Sequence, residues 1–342
     1  GAGDRHPPAS SAGLRGGGGR GGDGGGGAVG GAWQPTAAVG HPALQEQGQA
    51  VSVIFGRIGR HSARMWHNRP DNERGGGTWP AAIPKVVHQT GKRDPLGCRL
   101  KERESAKEAK WCAVELAFFA RSWTKRNHAF ERRFYDDQGA LDFVRDRAPE
   151  YLAAYQALWK PVLRADFFRY IVVLKEGGIY SDIDVLCTRS FSSYLRQSDR
   201  LVAGFERLMS SYEAAHFSQP GSKGPRAMQF LQWTFLAAPG HPALKELCDT
   251  IKEWILSDAS TSGGTGPGPR FEAYALEHGE DMAVMEFTGP GVWTDVILEH
   301  VQHGAEGIRL LPRDAWGLAP QDAGASQAGV LHYFKGSWRE EQ

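Results

Sequence analysis

The sequence lacks a long hydrophobic run and a strong excess of either charge. A membrane-spanning helix needs about 20 apolar residues, and the most apolar early segment, VSVIFGRIG, is too short and contains Arg57. Lys and Arg number 40 against 39 Asp and Glu, so the chain has no global basic field typical of nucleic-acid binding. We expect no nucleic-acid partner, and membrane association only through an anchor outside this chain.

Cysteine is also scarce, and its spacing excludes one common site. The four cysteines form no CxxC pair, which argues against a structural zinc site. Their even number leaves disulfides open. Cys187 follows a strand-like apolar run, so we predict a buried free thiol there. No internal repeat is visible.

Composition divides the chain in two. Up to about residue 77 it is dominated by Gly, Ala, Pro, Ser and Arg, whereas from Ile83 onward it is rich in aromatic and aliphatic residues. Only the second part can offset the conformational entropy lost on folding. We predict a low-complexity disordered tail or stem over residues 1–82, with an arginine-glycine RNA-contact tract as the alternative, and a folded domain over residues 83–340.

Helix and strand signals alternate after Ile83, which predicts an α/β fold. Pro161 and the pair Gly177-Gly178 bound the clearest predicted helix, PVLRADFFRYIVVLKE. Other predictions are a strand ending at His88, a helix over about 101–121, a single strand IYSDIDVLC and a helix QFLQWTFLAA. The predicted buried stripe of the 101–121 helix consists of Trp111, Val114, Leu116 and Phe118.

Asp182 and Asp184 lie two residues apart in the predicted strand IYSDIDVLC. Residues two apart in a strand face the same side, so the two carboxylates would project together. Close carboxylates repel unless a cation lies beside them. A hard divalent ion with positions left for phosphate oxygens fits this chemistry. The alternative is a strand end whose aspartates only bond to backbone, since a bare D-x-D is common.

Asp166 and Arg169 are three residues apart on the preceding predicted helix and share one face, which leads into the Gly-Gly turn. An acid and a fork-shaped cation held beside a metal can bind sugar hydroxyls and a phosphate. The alternative is a surface ion pair of little energetic value.

The segment RADFFRYIVVLKEGGIYSDIDV resembles the signature of glycosyltransferase family 32, with a more distant likeness to the clostridial glucosylating toxins. Six further blocks resemble the family in the same order, namely IPKVVHQT, AFERRFYDDQGALDFV, PEYLAAYQAL, QFLQWTFLAAPGHPAL, TGPGVWTDVI and LHYFKGSWRE. TGPG and APGHP resemble the initiation-specific α-1,6-mannosyltransferase branch more than the sphingolipid mannosyltransferase branch. The resemblance implies a GT-A-type nucleotide-sugar transferase fold, with a mixed, mostly parallel central sheet flanked by helices.

The resemblance also implies roles for individual residues. Asp184 is expected to bind the metal directly, and Asp182 to contact ribose or reach the metal through water. Asp166 and Arg169 match donor-sugar positions, so these four form the expected catalytic set. His332 resembles a histidine that completes the metal shell, with a histidine packed in the sheet as the alternative.

Further donor contacts are expected from the resemblance at Tyr180, and at Ser337 and Trp338, which resemble a loop that closes over the diphosphate. His88 and Gln89 end the first strand, where α/β folds place ligand contacts, and the resemblance implies nucleotide contact. A histidine bonded to backbone is the alternative at His88. The family often has Trp after HQT, whereas this chain has Gly91.

The implied activity is transfer of a hexose, expected to be mannose from GDP-mannose, onto a glycan hydroxyl with retention of configuration. Mn²⁺ or Mg²⁺ is the expected cofactor, N-glycan elongation the expected process, and the lumenal face of the Golgi membrane the expected location. Alternatives are inositol phosphorylceramide mannosylation, another hexosyltransferase, or a sugar-binding pseudoenzyme. A phosphohydrolase with D-x-D is disfavoured, because such enzymes usually have Thr where this chain has Leu186.

The sequence identifies no nucleophile for a double displacement, so front-face attack stays open. Glu206 and Asp295 are carboxylates to test. Gly289 and Gly291 in TGPG either allow close approach of a ligand or form a helix cap. Three tryptophans are candidates to stack on acceptor sugars or to pack in the core, namely Trp233, Trp293 and Trp316.

Overall fold

The computed structural model describes residues 79–98, 105, 109–208, 226–262, 266–313, 315–322 and 328–335. These residues all belong to one compact unit. The predicted tail lies outside the described residues except for its last four positions, and so do Ser337 and Trp338. Among the described helices, none combines the length and the apolar character that a membrane crossing requires.

Helices and strands alternate through most of the described chain. The helices are α1 (Val114–Arg126), α2 (Asp137–Arg147), α3 (Leu152–Ala157), α4 (Pro161–Glu176), α5 (Pro242–Ser262), α6 (Pro269–His278), α7 (Glu280–Phe287) and α8 (Pro290–Gln302). The strands are β1 (Val86–Thr90), β2 (Glu131–Tyr135), β3 (Gly178–Ser181), β4 (Val185–Cys187), β5 (Leu201–Leu208), β6 (Met228–Phe230), β7 (Thr234–Ala237), β8 (Ile308–Leu311) and β9 (Val330–His332).

Seven of these strands form one mixed sheet in the order β2-β1-β3-β7-β5-β6, with β8 also paired to β5. The pairs β1–β2, β1–β3 and β5–β8 are parallel, whereas β3–β7, β5–β7 and β5–β6 are antiparallel. Five of the seven strands therefore run in one direction and β6 and β7 run against them. Strands β4 and β9 form a separate antiparallel pair. The predicted α/β fold with a mixed, mostly parallel sheet is confirmed.

Both faces of the central sheet are covered, because successive side chains of a strand point to opposite sides. Tyr180 and Phe235 belong to the larger core, which contains residues of α2 to α8. Their neighbours Ile179 and Leu236 belong to a second core with Trp123 of α1. Helices thus flank the sheet, as predicted, and leave the ends of its strands to form a site.

The turn between α4 and β3 depends on glycine. Gly177 and Gly178 have φ angles of +65° and +94°, a backbone conformation that other residues rarely adopt. A Cβ atom on Gly178 would lie 2.4 Å from Cγ1 of Val86 in β1. The two glycines therefore let the chain pass from α4 directly into β3 beside β1.

The predicted helix QFLQWTFLAA is wrong, because this segment forms strands β6 and β7. Nearly every side chain in it is buried. A short apolar run without a polar face has no periodicity that separates a helix from a buried strand. The second half of this segment forms strand β7, which pairs with β3 on one side and with β5 on the other.

The predicted helix over 101–121 also differs from the structure where residues are described, whereas residues 101–104 and 106–108 lie outside the described part. Helix α1 begins at Val114 and extends to Arg126. A disulfide between Cys98 and Cys112 lies just before its first residue. Val114 and Phe118 are 82% and 58% exposed, so their predicted burial is wrong. The buried face of α1 keeps Leu116 from the predicted stripe and otherwise contains Phe119, Ala120 and Trp123. Cys187 is a buried free thiol, as predicted.

Candidate active site

The two motif aspartates lie in a turn rather than within one strand. Strand β3 ends at Ser181 and β4 begins at Val185, so the predicted single strand is interrupted. Strand alternation is therefore not what aligns Asp182 and Asp184. The turn is held by the Val185 amide, 3.3 Å from the Asp182 carbonyl oxygen, and by the Asp182 amide, 2.8 Å from the carbonyl oxygen of Trp233.

Pairing of β4 with β9 places His332 opposite Val185 and next to Asp184. Nε2 of His332 lies 3.0 Å from Oδ1 of Asp184, and the Lys335 amide donates to Oδ2 of the same carboxylate at 2.9 Å. One ligand atom from each of Asp182, Asp184 and His332 lies within 4.8 Å of the others. The two carboxylates supply the oxygen ligands that Mn²⁺ and Mg²⁺ prefer, and the imidazole adds a nitrogen that Mn²⁺ accepts more readily than Mg²⁺.

The charges of this cluster are coupled. Burial raises the pKa of Asp182, and the neighbouring charge of Asp184 adds to this, while Arg169 opposes it. Burial alone would also raise the pKa of Asp184, but the charge and hydrogen bond of His332 outweigh it and lower that pKa. Burial would lower the pKa of His332, yet Asp184 raises it overall. An ion bound here would replace the proton that the histidine shares with the carboxylate.

Asp166 and Arg169 form a buried pair on α4, not a surface ion pair. Nη2 of Arg169 lies 2.9 Å from Oδ1 of Asp166 and 3.4 Å from Oδ1 of Asp182. The guanidinium also lies 5.0 Å from the centroid of the Tyr180 ring. Arg169 therefore links the helix to the motif turn. A buried charge of this kind is costly unless it is paired.

The pair of Asp166 and Arg169 is held by residues to which the sequence analysis assigned no role. Gln232 accepts a hydrogen bond from Nη1 of Arg169 and donates to Oδ1 of Asp166 at 3.2 Å. The Thr288 hydroxyl donates to Oδ2 of Asp166 at 3.1 Å, and the Tyr170 hydroxyl donates to the Gln232 oxygen at 3.0 Å. No local sequence signal indicates Gln232 or Thr288, because they join Asp166 only through contacts distant in sequence.

Tyr180 contacts the motif directly from β3. Its hydroxyl donates to Oδ1 of Asp182 at 2.9 Å and lies 3.0 Å from the Thr90 hydroxyl. Among the described residues, Arg169 and Tyr180 both contact Oδ1 of Asp182, which leaves Oδ2 for an ion.

His88 and Gln89 lie beneath this layer and do not line the cleft. Nε2 of His88 lies 3.0 Å from the carbonyl oxygen of Gly177, and Nδ1 lies 3.2 Å from the Tyr135 hydroxyl. Burial lowers the pKa of His88 to about 4, so the ring is neutral at physiological pH. The Gln89 amide lies 3.4 Å from the carbonyl oxygen of Asp182. Gln89 thus supports the motif turn, and His88 supports the Gly177-Gly178 turn that precedes β3. Nucleotide contact by either residue stays a prediction.

A cleft of about 1510 Å³ opens above the motif. It is lined by Asp166, Arg169, Tyr180, Asp182, Asp184 and His332, together with Glu206, Trp233 and Phe334. The structure thus brings together, in one cavity, most of the residues that the sequence singled out.

Several other candidates lie away from the cleft. Asp295 is paired with Arg226, whose Nε lies 2.8 Å from Oδ1 of the carboxylate. Trp293 and Trp316 are fully buried in the core. A Cβ atom on Gly289 would lie 2.7 Å from Cα of Met285, so this glycine allows α7 and α8 to approach each other. Packing accounts for the two tryptophans and the glycine, and an ion pair accounts for Asp295.

The comparisons with known proteins agree with this geometry. Residues 114–201, which contain Asp166, Arg169 and both motif aspartates, match the family described as "Glycosyltransferase sugar-binding region containing DXD motif". An initiation-specific alpha-1,6-mannosyltransferase of Schizosaccharomyces pombe is 30% identical over 297 residues, covering 76% of this chain and 65% of that protein. Its namesake in Candida albicans is 26% identical over 191 residues, covering 54% and 48%.

A mannosyl phosphorylinositol ceramide synthase of Saccharomyces cerevisiae is 26% identical over 194 residues, covering 55% of this chain and 41% of that protein. The chain thus spans between about two fifths and just under two thirds of the length of these three relatives. Residues 114–201 thus belong to the DXD-containing glycosyltransferase family, and the three relatives of the chain are named as mannosyltransferases or as a mannosyl phosphorylinositol ceramide synthase.

Proposed function

We propose that this chain is the catalytic domain of a metal-dependent, retaining mannosyltransferase that transfers mannose from GDP-mannose to a glycan hydroxyl in protein N-glycan elongation. One observation carries the proposal. The ion-binding set of Asp182, Asp184 and His332 and the buried pair of Asp166 and Arg169 border the same cleft. This combination suits a nucleotide sugar, because a cation can neutralise its diphosphate and fixed polar groups can bind its hexose.

When bound, the divalent ion supplies positive charge that stabilises the departing diphosphate. The protein's own part is to hold the groups rigidly before the donor arrives. Arg169 and Tyr180 fix Asp182 through one oxygen, and the Lys335 amide fixes Asp184. Asp166 is held by Gln232 and Thr288 at the cleft wall, where a carboxylate oxygen can accept hydrogen bonds from donor hydroxyls.

A panel of nucleotide sugars tests the donor and the metal together. We expect GDP-mannose to be hydrolysed or transferred at least about 10-fold faster than UDP-glucose or UDP-galactose, a preference of about 1.4 kcal/mol. Turnover should require added Mn²⁺ or Mg²⁺ and fall to background in EDTA. Preference for a UDP-sugar would contradict the donor assignment, and full activity in EDTA would contradict the metal. Binding of GDP-mannose without turnover would indicate a pseudoenzyme.

A second acceptor class is favoured by the likeness to the mannosyl phosphorylinositol ceramide synthase. Inositol phosphorylceramide and an N-glycan core would therefore be compared as acceptors in the same assay. Higher turnover with the lipid would replace the N-glycan assignment, while leaving the donor and the site unchanged.

We also propose that the protein acts on the lumenal face of the Golgi membrane. The disulfide between Cys98 and Cys112 supports this, because disulfides form and persist in oxidising compartments. Protein that is denatured without reductant should show two titratable thiols, those of Cys187 and Cys248. After reduction of the disulfide it should show four. Four thiols before reduction, in protein isolated from its native cells, would remove this support.

A further inference from the structure

A second polar cluster lies in the same cleft, beside the ion-binding residues. Strand β5 runs parallel to β1 and β3, so the carboxyl ends of these strands lie at the same edge of the sheet. Glu206 lies near the carboxyl end of β5 and lines the cleft. It therefore faces the space where a molecule approaching the donor would be bound.

The protein fixes the Glu206 carboxylate through both oxygens. Nε1 of Trp233 donates to Oε1 at 3.1 Å, and Nε2 of Gln229 donates to Oε2 at 2.6 Å. A carboxylate has about four acceptor positions, so these two bonds orient it and leave capacity for hydroxyl groups. Both donors follow β5 in the sequence and come from the β6–β7 region, which holds the carboxylate in a rigid part of the fold.

Trp233 separates Glu206 from the ion-binding residues. The indole packs against the His332 ring with 4.5 Å between centroids, while its nitrogen bonds to Glu206. Glu206 is thus one aromatic ring away from the ion-binding cluster. This position suits a group that binds the second substrate rather than the diphosphate.

An exposed aromatic ring completes this part of the cleft. Phe334 is 54% exposed, and its ring lies 3.9 Å from that of His332 and 6.4 Å from that of Trp233. Its φ angle is +45°, and it is the one non-glycine among the described residues with a positive φ. Such a conformation is strained for a residue other than glycine and is frequent at ligand sites. The strained backbone places an apolar ring in the cleft instead of burying it.

We propose that Glu206 and Phe334 form the subsite for the acceptor sugar, a neutral hexopyranoside. Glu206 accepts a hydrogen bond from an acceptor hydroxyl, and Phe334 contacts the apolar face of the pyranose ring. A carboxylate beside an aromatic ring matches a sugar, which carries hydroxyls at its edge and C–H groups on its face. This inference rests on the proposed transferase function and assigns Glu206 to acceptor binding, not to nucleophilic attack.

Kinetics of Glu206→Gln and Phe334→Ala test the subsite, with methyl α-D-mannopyranoside as the acceptor probe. We expect the KM for the mannoside to rise at least about 10-fold in each variant, equivalent to about 1.4 kcal/mol of binding. The KM for GDP-mannose and its hydrolysis without acceptor should stay within about 2-fold of the wild type. Phe334→Ala serves as the second variant because it removes an exposed side chain from a strained backbone and should fold.

Control variants are Glu299→Gln on α8 and Leu276→Ala on α6, which change exposed residues outside the cleft. An unchanged mannoside KM in both test variants would overturn the subsite. Loss of acceptor-free hydrolysis in Glu206→Gln would overturn it in favour of a nucleophile. If the wild type turns over no nucleotide sugar, the proposed function fails and the subsite fails with it. If the wild type is active and both test variants keep its KM for the mannoside, the subsite is refuted while the proposed function stands.

Discussion

Asp184→Asn should lower turnover of GDP-mannose by about 100-fold or more and weaken Mn²⁺ binding at least as strongly. Even residues that only support metal ligands contribute about 10–100-fold in affinity or activity. The effect of Asp184 should be larger, because its carboxylate contacts His332 and also accepts a hydrogen bond from the Lys335 amide. An amide has one oxygen for these two N–H donors and carries no charge. Calorimetry with Mn²⁺ and steady-state turnover would measure the two effects.

Asp142→Asn provides a matched control for this substitution. Its carboxylate is half-exposed on α2, where it contacts Gln138 and Arg145. An exposed pair of this kind contributes about 0–1 kcal/mol, so metal binding and turnover should not change. If Asp184→Asn kept wild-type Mn²⁺ affinity, the ion-binding role of this cluster would be refuted.

Arg169→Met should destabilise the folded protein by about 3–5 kcal/mol, the range measured when one partner of a buried ion pair is removed. Methionine replaces much of the volume but leaves the Asp166 carboxylate buried without its cation. Asp182 loses the same partner. Urea unfolding at pH 8, above the pKa of about 6 of Asp166, measures the loss.

The effect should depend on pH in a defined direction. Burial raises the pKa of Asp166 from 3.8 to about 6, with Arg169 opposing the rise. A folded-state pKa above the unfolded value stabilises the protein below about pH 4, and this contribution is lost as the pH rises through 6. Without Arg169 the folded pKa rises further, so the variant should lose more stability at pH 8 than at pH 5.

A double variant separates this charge effect from loss of packing. Asp166→Asn combined with Arg169→Met removes the buried carboxylate together with its partner, so it should be more stable at pH 8 than Arg169→Met alone. Its stability should also change less between pH 5 and pH 8. Equal destabilisation at both pH values, or no recovery in the double variant, would show that Arg169 acts through packing.

Much of the site was predictable because its main residues follow one another along the chain. The spacing of Asp166 and Arg169 on one helix, the two glycines and the D-x-D sequence are local features. Local geometry of this kind depends on few distant contacts. Even so, strand alternation was the wrong reason for the approach of Asp182 and Asp184, because a turn between two sheets brings them together.

The resemblance added His332, which no local pattern identifies as a ligand. Its position depends on β9 pairing with β4, almost 150 residues earlier in the chain. Gln232 and Thr288 had neither a pattern nor an assigned role. The error at QFLQWTFLAA has the same origin, since burial on both faces removes the periodicity that separates strand from helix.

By itself, the sequence determined the α/β class and the acidic motif after the Gly-Gly turn, while the boundary between the glycine-rich segment and the folded part stays a prediction. These depend on composition, turn chemistry and short-range spacing, which act within a few residues. Only the tertiary structure decided which side chains hold Asp166 and Arg169, that His88 contacts Gly177 instead of lining the cleft, and that Glu206 shares a cleft with the motif. Those outcomes depend on strand order and on burial. Both are set by contacts between segments that are distant in sequence, so no local pattern predicts them.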